Sequence, residues 1–187
     1  LMQEAIDGGA MHIGENRVQE AAEKFLTLNR EVTKHLIGHL QTNKAKQAVQ
    51  MFDLIHSVDS DRLALALDKA ANSFGKVQEI LIQVNLSREL TKSGVYIEEL
   101  DYLLETVENL NNLKLRGLMM IAPNLPKVEE CRPLFRGMRK IFDDLRASRK
   151  DFDFLSMGMT HDYKIAVEEG ANIVRVGTAI FGARNYL

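Results

Sequence analysis

Short runs rich in Ile, Val and Leu alternate along the whole chain with stretches whose apolar residues recur at helical spacing, and no other feature limits the fold so much. Parallel strands need long return connections, usually helices, so this alternation is the sequence form of consecutive parallel crossover units. The helical periodicity is plain at Phe135, Met138, Phe142 and Leu145 and again at Ile97, Leu100, Leu104 and Val107, each set forming one apolar stripe. The strand runs are Met11 to Gly14, His35 to Gly38, Leu54 to Val58, Glu79 to Leu86, Leu113 to Ile121, Phe154 to Gly158 and Ile173 to Gly177, seven in all.

Similar strand-helix units in series favour a closed TIM-type (β/α)8 barrel over an open doubly wound sheet, whose first strand would lead into a Gly-rich phosphate turn. The count is one short of eight. Residues Leu1 to Gly9 read as the last turns of a helix stopped by Gly8 and Gly9. The expectation is therefore that the first strand and the start of the first helix lie upstream, since a barrel lacking a strand exposes two unpaired edges. The 187 residues suit one domain, 1–187, because the Pro123 to Pro126 loop is too short to be a linker.

A net charge of −2 gives no electrostatic reason to expect nucleic acid or anionic lipid as partner. Cys131 is the sole cysteine, which excludes an intrachain disulfide and any paired-cysteine zinc framework and fits a cytoplasmic setting. No apolar run approaches the roughly 18–20 residues of a membrane span. The histidines are scattered, with His35 and His39 on a strand and its loop rather than on one helical face, so no metal site is expected.

In such a barrel the chemistry sits at the C-terminal ends of strands, and phosphate is often held by the loops after the last two. The penultimate run ends in Ser156-Met157-Gly158-Met159-Thr160 and the last in Arg175-Val176-Gly177-Thr178-Ala179, ahead of a short helix through Phe181. Hydroxyls beside glycines let backbone amides approach an anion, and together the two ends read as a phosphate cup. The plainer use of these residues is structural: glycines easing turns and hydroxyls capping helices. The coincidence of both patterns at adjacent strand ends favours the cup. Strand alternation places Arg175 on the face of Ile173 and Gly177, pointing into the barrel, where it needs either a carboxylate or a ligand acceptor. Polar residues also close other strands: Gly14-Glu15-Asn16, Gly38-His39-Leu40-Gln41 with Asn43-Lys44, Asn85, and Thr91-Lys92-Ser93-Gly94.

These segments carry a resemblance. Gly14-Glu15-Asn16-Arg17-Val18-Gln19-Glu20, the stretch His35 to Lys44, Lys92-Ser93-Gly94, Leu115 to Met119, Ser156 to Met159 and Val174 to Gly182 are together similar to the pyridoxal phosphate homeostasis proteins, in order and over essentially the whole chain. The resemblance implies the barrel of the alanine-racemase N-terminal domain standing alone. It implies binding of pyridoxal phosphate (PLP) without established turnover, and buffering or delivery of the cofactor to apo-enzymes by a monomer or weak dimer. It also implies that Ser156, Gly158, Gly177 and Thr178 hold the phosphate, that Arg175 faces the pyridine nitrogen and that Asn16 lies near the ring. An arginine there disfavours ring protonation, because two positive charges would adjoin. The family's Schiff-base lysine ends the first strand, so it is expected upstream of Leu1. A PLP-dependent racemase or decarboxylase is the alternative within the cofactor class, and a sugar-phosphate aldolase or isomerase barrel is the alternative from the cup alone.

Overall fold

The computed structural model describes residues 1–182. Seven strands form one sheet in sequential order, all parallel: β1 (His12–Glu15), β2 (Thr33–Leu36), β3 (Leu54–Val58), β4 (Gln78–Gln83), β5 (Leu113–Met119), β6 (Phe154–Met159) and β7 (Ile173–Arg175). Each is reached through helical chain: α1 (Met2–Asp7) before β1, then α2 (Val18–Phe25), α3 (Ala45–Met51), α4 (Asp61–Ser73), α5 (Ile97–Glu108), α6 (Arg132–Arg146) and α7 (Tyr163–Glu168), with α8 (Thr178–Phe181) after β7. This is the TIM-type β/α architecture, with all seven expected strands present. Among the described residues β1 and β7 pair on one side only, so the barrel is nearly closed, with a gap between them.

The helices form where capping and periodicity agree. Ser60 accepts the Leu63 N–H at 3.3 Å and starts α4. The Glu99 carboxylate reaches back to the Tyr96 N–H at 3.2 Å and fixes the start of α5. Pro133 sits in the first turn of α6, where its missing N–H costs nothing. As the stripe requires, α6 buries Phe135, Met138 and Phe142. In α5 the buried set is Leu100, Leu103, Leu104 and Val107, while Ile97, the first helical residue, stays exposed.

Two apolar regions result. The larger lies between sheet and helices and includes Leu36, Ile55, Ile80, Ile82, Leu118, Leu155, Phe135 and Phe142. The smaller fills the barrel: Leu54, Leu81 and Met119, flanked by Ile121, Phe154 and Ile173. A bulge between β4 and β5 separates Leu115 from Gly117 in the register, and Gly117 has φ +149°, where a Cβ would lie 1.9 Å from the Phe154 carbonyl oxygen. The adjoining Arg116 pairs with Glu79 and Asp153 and stacks 4.5 Å over the Phe154 ring. Outside, Arg132 pairs with Glu168 and Glu169, and Arg136 with Glu169, clasping α6 to α7. Among the described residues no helix is long and apolar enough to cross a membrane.

Candidate functional site

The C-terminal ends of β6 and β7 lie side by side, Ser156 registered with Ile173 and Met159 with Arg175 across an irregularity. Arg175 points inward, as its parity requires. Its Nη1 donates to Ser156 Oγ at 2.7 Å and its Nη2 to the Met120 carbonyl at 2.8 Å. Both acceptors are neutral, and among the described residues no carboxylate forms an ion pair with this guanidinium. Desolvation pulls its pKa down to about 10 against the opposing field of Asp162, so the cation persists at neutral pH. A guanidinium carries five N–H donors, and two are engaged here by protein acceptors.

Ser156 is fully buried, and its hydroxyl is engaged twice, by Arg175 and by His56 Nδ1 at 2.9 Å. The hydroxyl at the mouth is that of Thr160, which accepts the Gly177 N–H at 3.1 Å and ties the two loops together. Asp162 Oδ1 accepts the Met159 N–H at 2.6 Å and fixes the turn before α7. Gly158 has φ +93°, and a Cβ there would lie 2.6 Å from Ala166 Cβ, so α7 rests directly on this strand. Gly177 faces open space, with no atom within 4 Å of a notional Cβ, and the exposed Thr178 begins α8. The structure therefore brings together two bonded pairs at the adjacent ends of β6 and β7, Arg175 with Ser156 and Gly177 with Thr160, with the exposed Thr178 following Gly177. Asn16 follows β1, across the gap; it is exposed, and Gly38 packs against its main chain.

Three histidines join this group. His12 Nδ1 lies 3.0 Å from His35 Nε2, and His35 Nδ1 lies 2.8 Å from His56 Nε2, so a continuous chain of hydrogen bonds runs from β1 through β2 and β3 to β6 and β7. Burial, and next the neighbouring His12, hold the His35 pKa down to about 4; burial, and next His35, lower that of His56. Both imidazoles are thus neutral at pH 7. The three histidines form no motif, lying 23 and 21 residues apart, and their one mark in the sequence is that each occupies a β-run, His56 directly after Leu54-Ile55.

At the rim, an open cleft of ≈ 700 Å³ runs along His39, Gln41, Thr42, Asn43, Asp59 and Arg62, apart from the Arg175 group. Burial raises the pKa of Asp59 while His39, 3.6 Å away, opposes the rise. Lys92 is held by Glu89 at 2.5 Å and by the Ala122 carbonyl at 2.9 Å. No cluster of three or more His, Cys, Asp or Glu side chains suited to a metal ion occurs among the described residues.

The family model for the alanine racemase N-terminal domain matches residues 1–185. The chain belongs to the alanine racemase N-terminal domain family. A relative from Aquifex aeolicus, named pyridoxal phosphate homeostasis protein, is 44% identical over 100% of this chain and 82% of its own length. PipY of Synechococcus elongatus, solved with PLP bound, is 42% identical, with a TM-score of 0.88 over 97% of this chain and 86% of PipY. Alanine racemase of Clostridium difficile shares 14% identity with a TM-score of 0.74 over 98% of this chain and 48% of the racemase, a likeness of fold alone.

Proposed function

We propose that this chain binds PLP and takes part in holding and delivering the cofactor, as a cytoplasmic barrel of one domain that works as a monomer or weak dimer. The observation that carries the reading is Arg175: a desolvated cation held by neutral acceptors, beside two loop ends rich in glycine and hydroxyls. These residues fit a ligand with a dianionic phosphate and a ring acceptor. The main chain at Gly177 can approach a phosphate because nothing crowds it. Thr160 and Thr178 supply hydroxyls at the same mouth, and Gly158 lets α7 pack closely enough to hold the Met159–Thr160 turn beside them. Ser156 serves from below: its oxygen accepts from Arg175 and so sets the guanidinium against the ring, while the exposed Asn16, just after β1, lies near the ring.

Bound there, the cofactor supplies a reactive aldehyde for capturing amines. The protein's part is to orient and restrain it. Arg175, charged at neutral pH, opposes a second positive charge on a ring nitrogen beside it, which weakens the electron sink and suits storage over turnover. The names of the Aquifex relative and of PLP-bound PipY support the same reading.

Equilibrium titration with PLP, followed by absorbance with inorganic phosphate as competitor, tests it. Saturable binding that phosphate displaces is expected. No saturable binding, or binding of a sugar phosphate in preference to PLP, overturns the reading, and racemisation of alanine by the loaded protein overturns the storage role.

A further inference from the structure

The bonded chain His12, His35, His56, Ser156, Arg175 crosses the barrel from end to end. His12 is the first residue of β1 and its side chain is exposed, whereas Arg175 is the last residue of β7. Between them every link is a hydrogen bond between 2.7 and 3.0 Å. Each imidazole uses both ring nitrogens along the line, except His12, whose Nε2 lies outside it.

Arg175 can only donate, so one lone pair of Ser156 Oγ is committed to it. With its remaining O–H given to His56 Nδ1, the polarity of the whole line is fixed: His56 Nε2–H donates to His35 Nδ1, and His35 Nε2–H donates to His12 Nδ1. All three rings are then neutral and protonated on Nε2. The opposite polarity carries hydrogen on every Nδ1, and Ser156 then accepts from both His56 and Arg175. A charged His12 is compatible only with that second arrangement, because its Nδ1–H must donate to His35.

We propose that these three imidazoles and Ser156 are a proton relay linking the His12 end of the barrel to the Arg175 site. A proton released in the site to Ser156 Oγ sends the serine's hydrogen to His56 Nδ1. The His56 Nε2 hydrogen moves to His35 Nδ1, and the His35 Nε2 hydrogen moves to His12 Nδ1. His12 then carries the charge and loses its Nε2 proton to water, so one proton enters, one leaves, and no atom is left over. The reverse sequence brings a proton in. The charged groups facing the line are Asp53, whose field favours a charged His35, Arg175, whose field opposes a charged His56, and Asp162 beside Arg175.

The relay's use for a ring ligand rests on the PLP reading, but its existence is measured without ligand. Long-range 1H–15N NMR of the ligand-free chain reports which ring nitrogen carries hydrogen in each histidine. In the wild type, His35 and His56 are expected to share one neutral tautomer and to exchange it together as the pH is lowered. In His12→Gln, an exposed position, that exchange is lost while both rings stay neutral. His35 and His56 in opposite tautomers, or exchanging tautomer independently of one another, would overturn the relay. Failure of PLP to bind would leave that readout intact and count against the cofactor reading alone.

Discussion

Substituting Ser156 by alanine removes one oxygen and keeps the Cβ, so what changes is hydrogen bonding rather than shape. The lost oxygen accepts from a charged donor at 2.7 Å and pairs with a neutral imidazole at 2.9 Å. A charge-assisted bond is worth about 1.5–3 kcal/mol and a neutral one about 1 kcal/mol, and both partners stay buried. The expected loss of folding free energy is ~3 kcal/mol, a large share of the roughly 5–15 kcal/mol available to a domain. Urea unfolding midpoints measured beside Thr178→Ala supply the assay, since Thr178 is exposed and its change should stay within about 0.5 kcal/mol. Loss of the acceptor should also weaken PLP retention, because Arg175 no longer has a fixed direction. Equal stability of the two variants would refute the reasoning, for it would mean that the Ser156 hydroxyl is not committed to Arg175.

Gly158→Ala should destabilise by ~3 kcal/mol or more, through positive φ and collision with Ala166. By contrast, Gly177→Ala should unfold within about 0.5 kcal/mol of the wild type yet bind PLP more weakly, a contrast that thermal unfolding and titration read separately. Thr160→Val should likewise lower PLP affinity, by about tenfold for one lost bond of ~1.4 kcal/mol in the cup, and unchanged affinity would place the phosphate elsewhere. The depressed pKa of His35 sets a pH dependence: the unfolded chain binds a proton near pH 6.5 that the native chain refuses until about pH 4. Stability is therefore full above pH 6.5 and falls as pH drops towards 4, by at most ~3 kcal/mol from this group. Urea midpoints at pH 7.5 and 5 should differ in the wild type and differ less in His35→Gln; identical slopes would refute the assignment.

The β-runs were legible because strands buried on both faces read as largely apolar segments, and Leu54 to Val58 is buried throughout, its His56 and Ser57 included. Their ends were less legible. β2 spans Thr33–Leu36 rather than His35 to Gly38: Thr33 and Lys34 pair with His12 and Ile13, and past Leu36 the chain bends so that Gly38 packs on the Asn16 main chain. β4 stops at Gln83, since Asn85 turns away to donate to the Glu89 and Lys92 carbonyls. The inward direction of Arg175 followed from alternation alone, yet its acceptors did not: Met120 and Ser156 stand 55 and 19 residues away. The histidine chain was hidden for the same reason, as His56 and Ser156 are 100 residues apart and only barrel curvature makes them neighbours. Distinguishing Ser156 from Thr160 needed depth along β6, which residue order conveys poorly.

The unequal division of apolar side chains has a consequence for how such barrels change over time. Most of the buried apolar side chains lie in the seam between strands and helices, while among the described residues the cluster inside the ring of strands buries just Leu54, Leu81 and Met119. Exchanging the few inward apolar side chains thus alters what the lumen can hold while the outer girdle keeps the protein folded, whereas the bonded inward groups such as Ser156 and His56 are the ones the scaffold depends on.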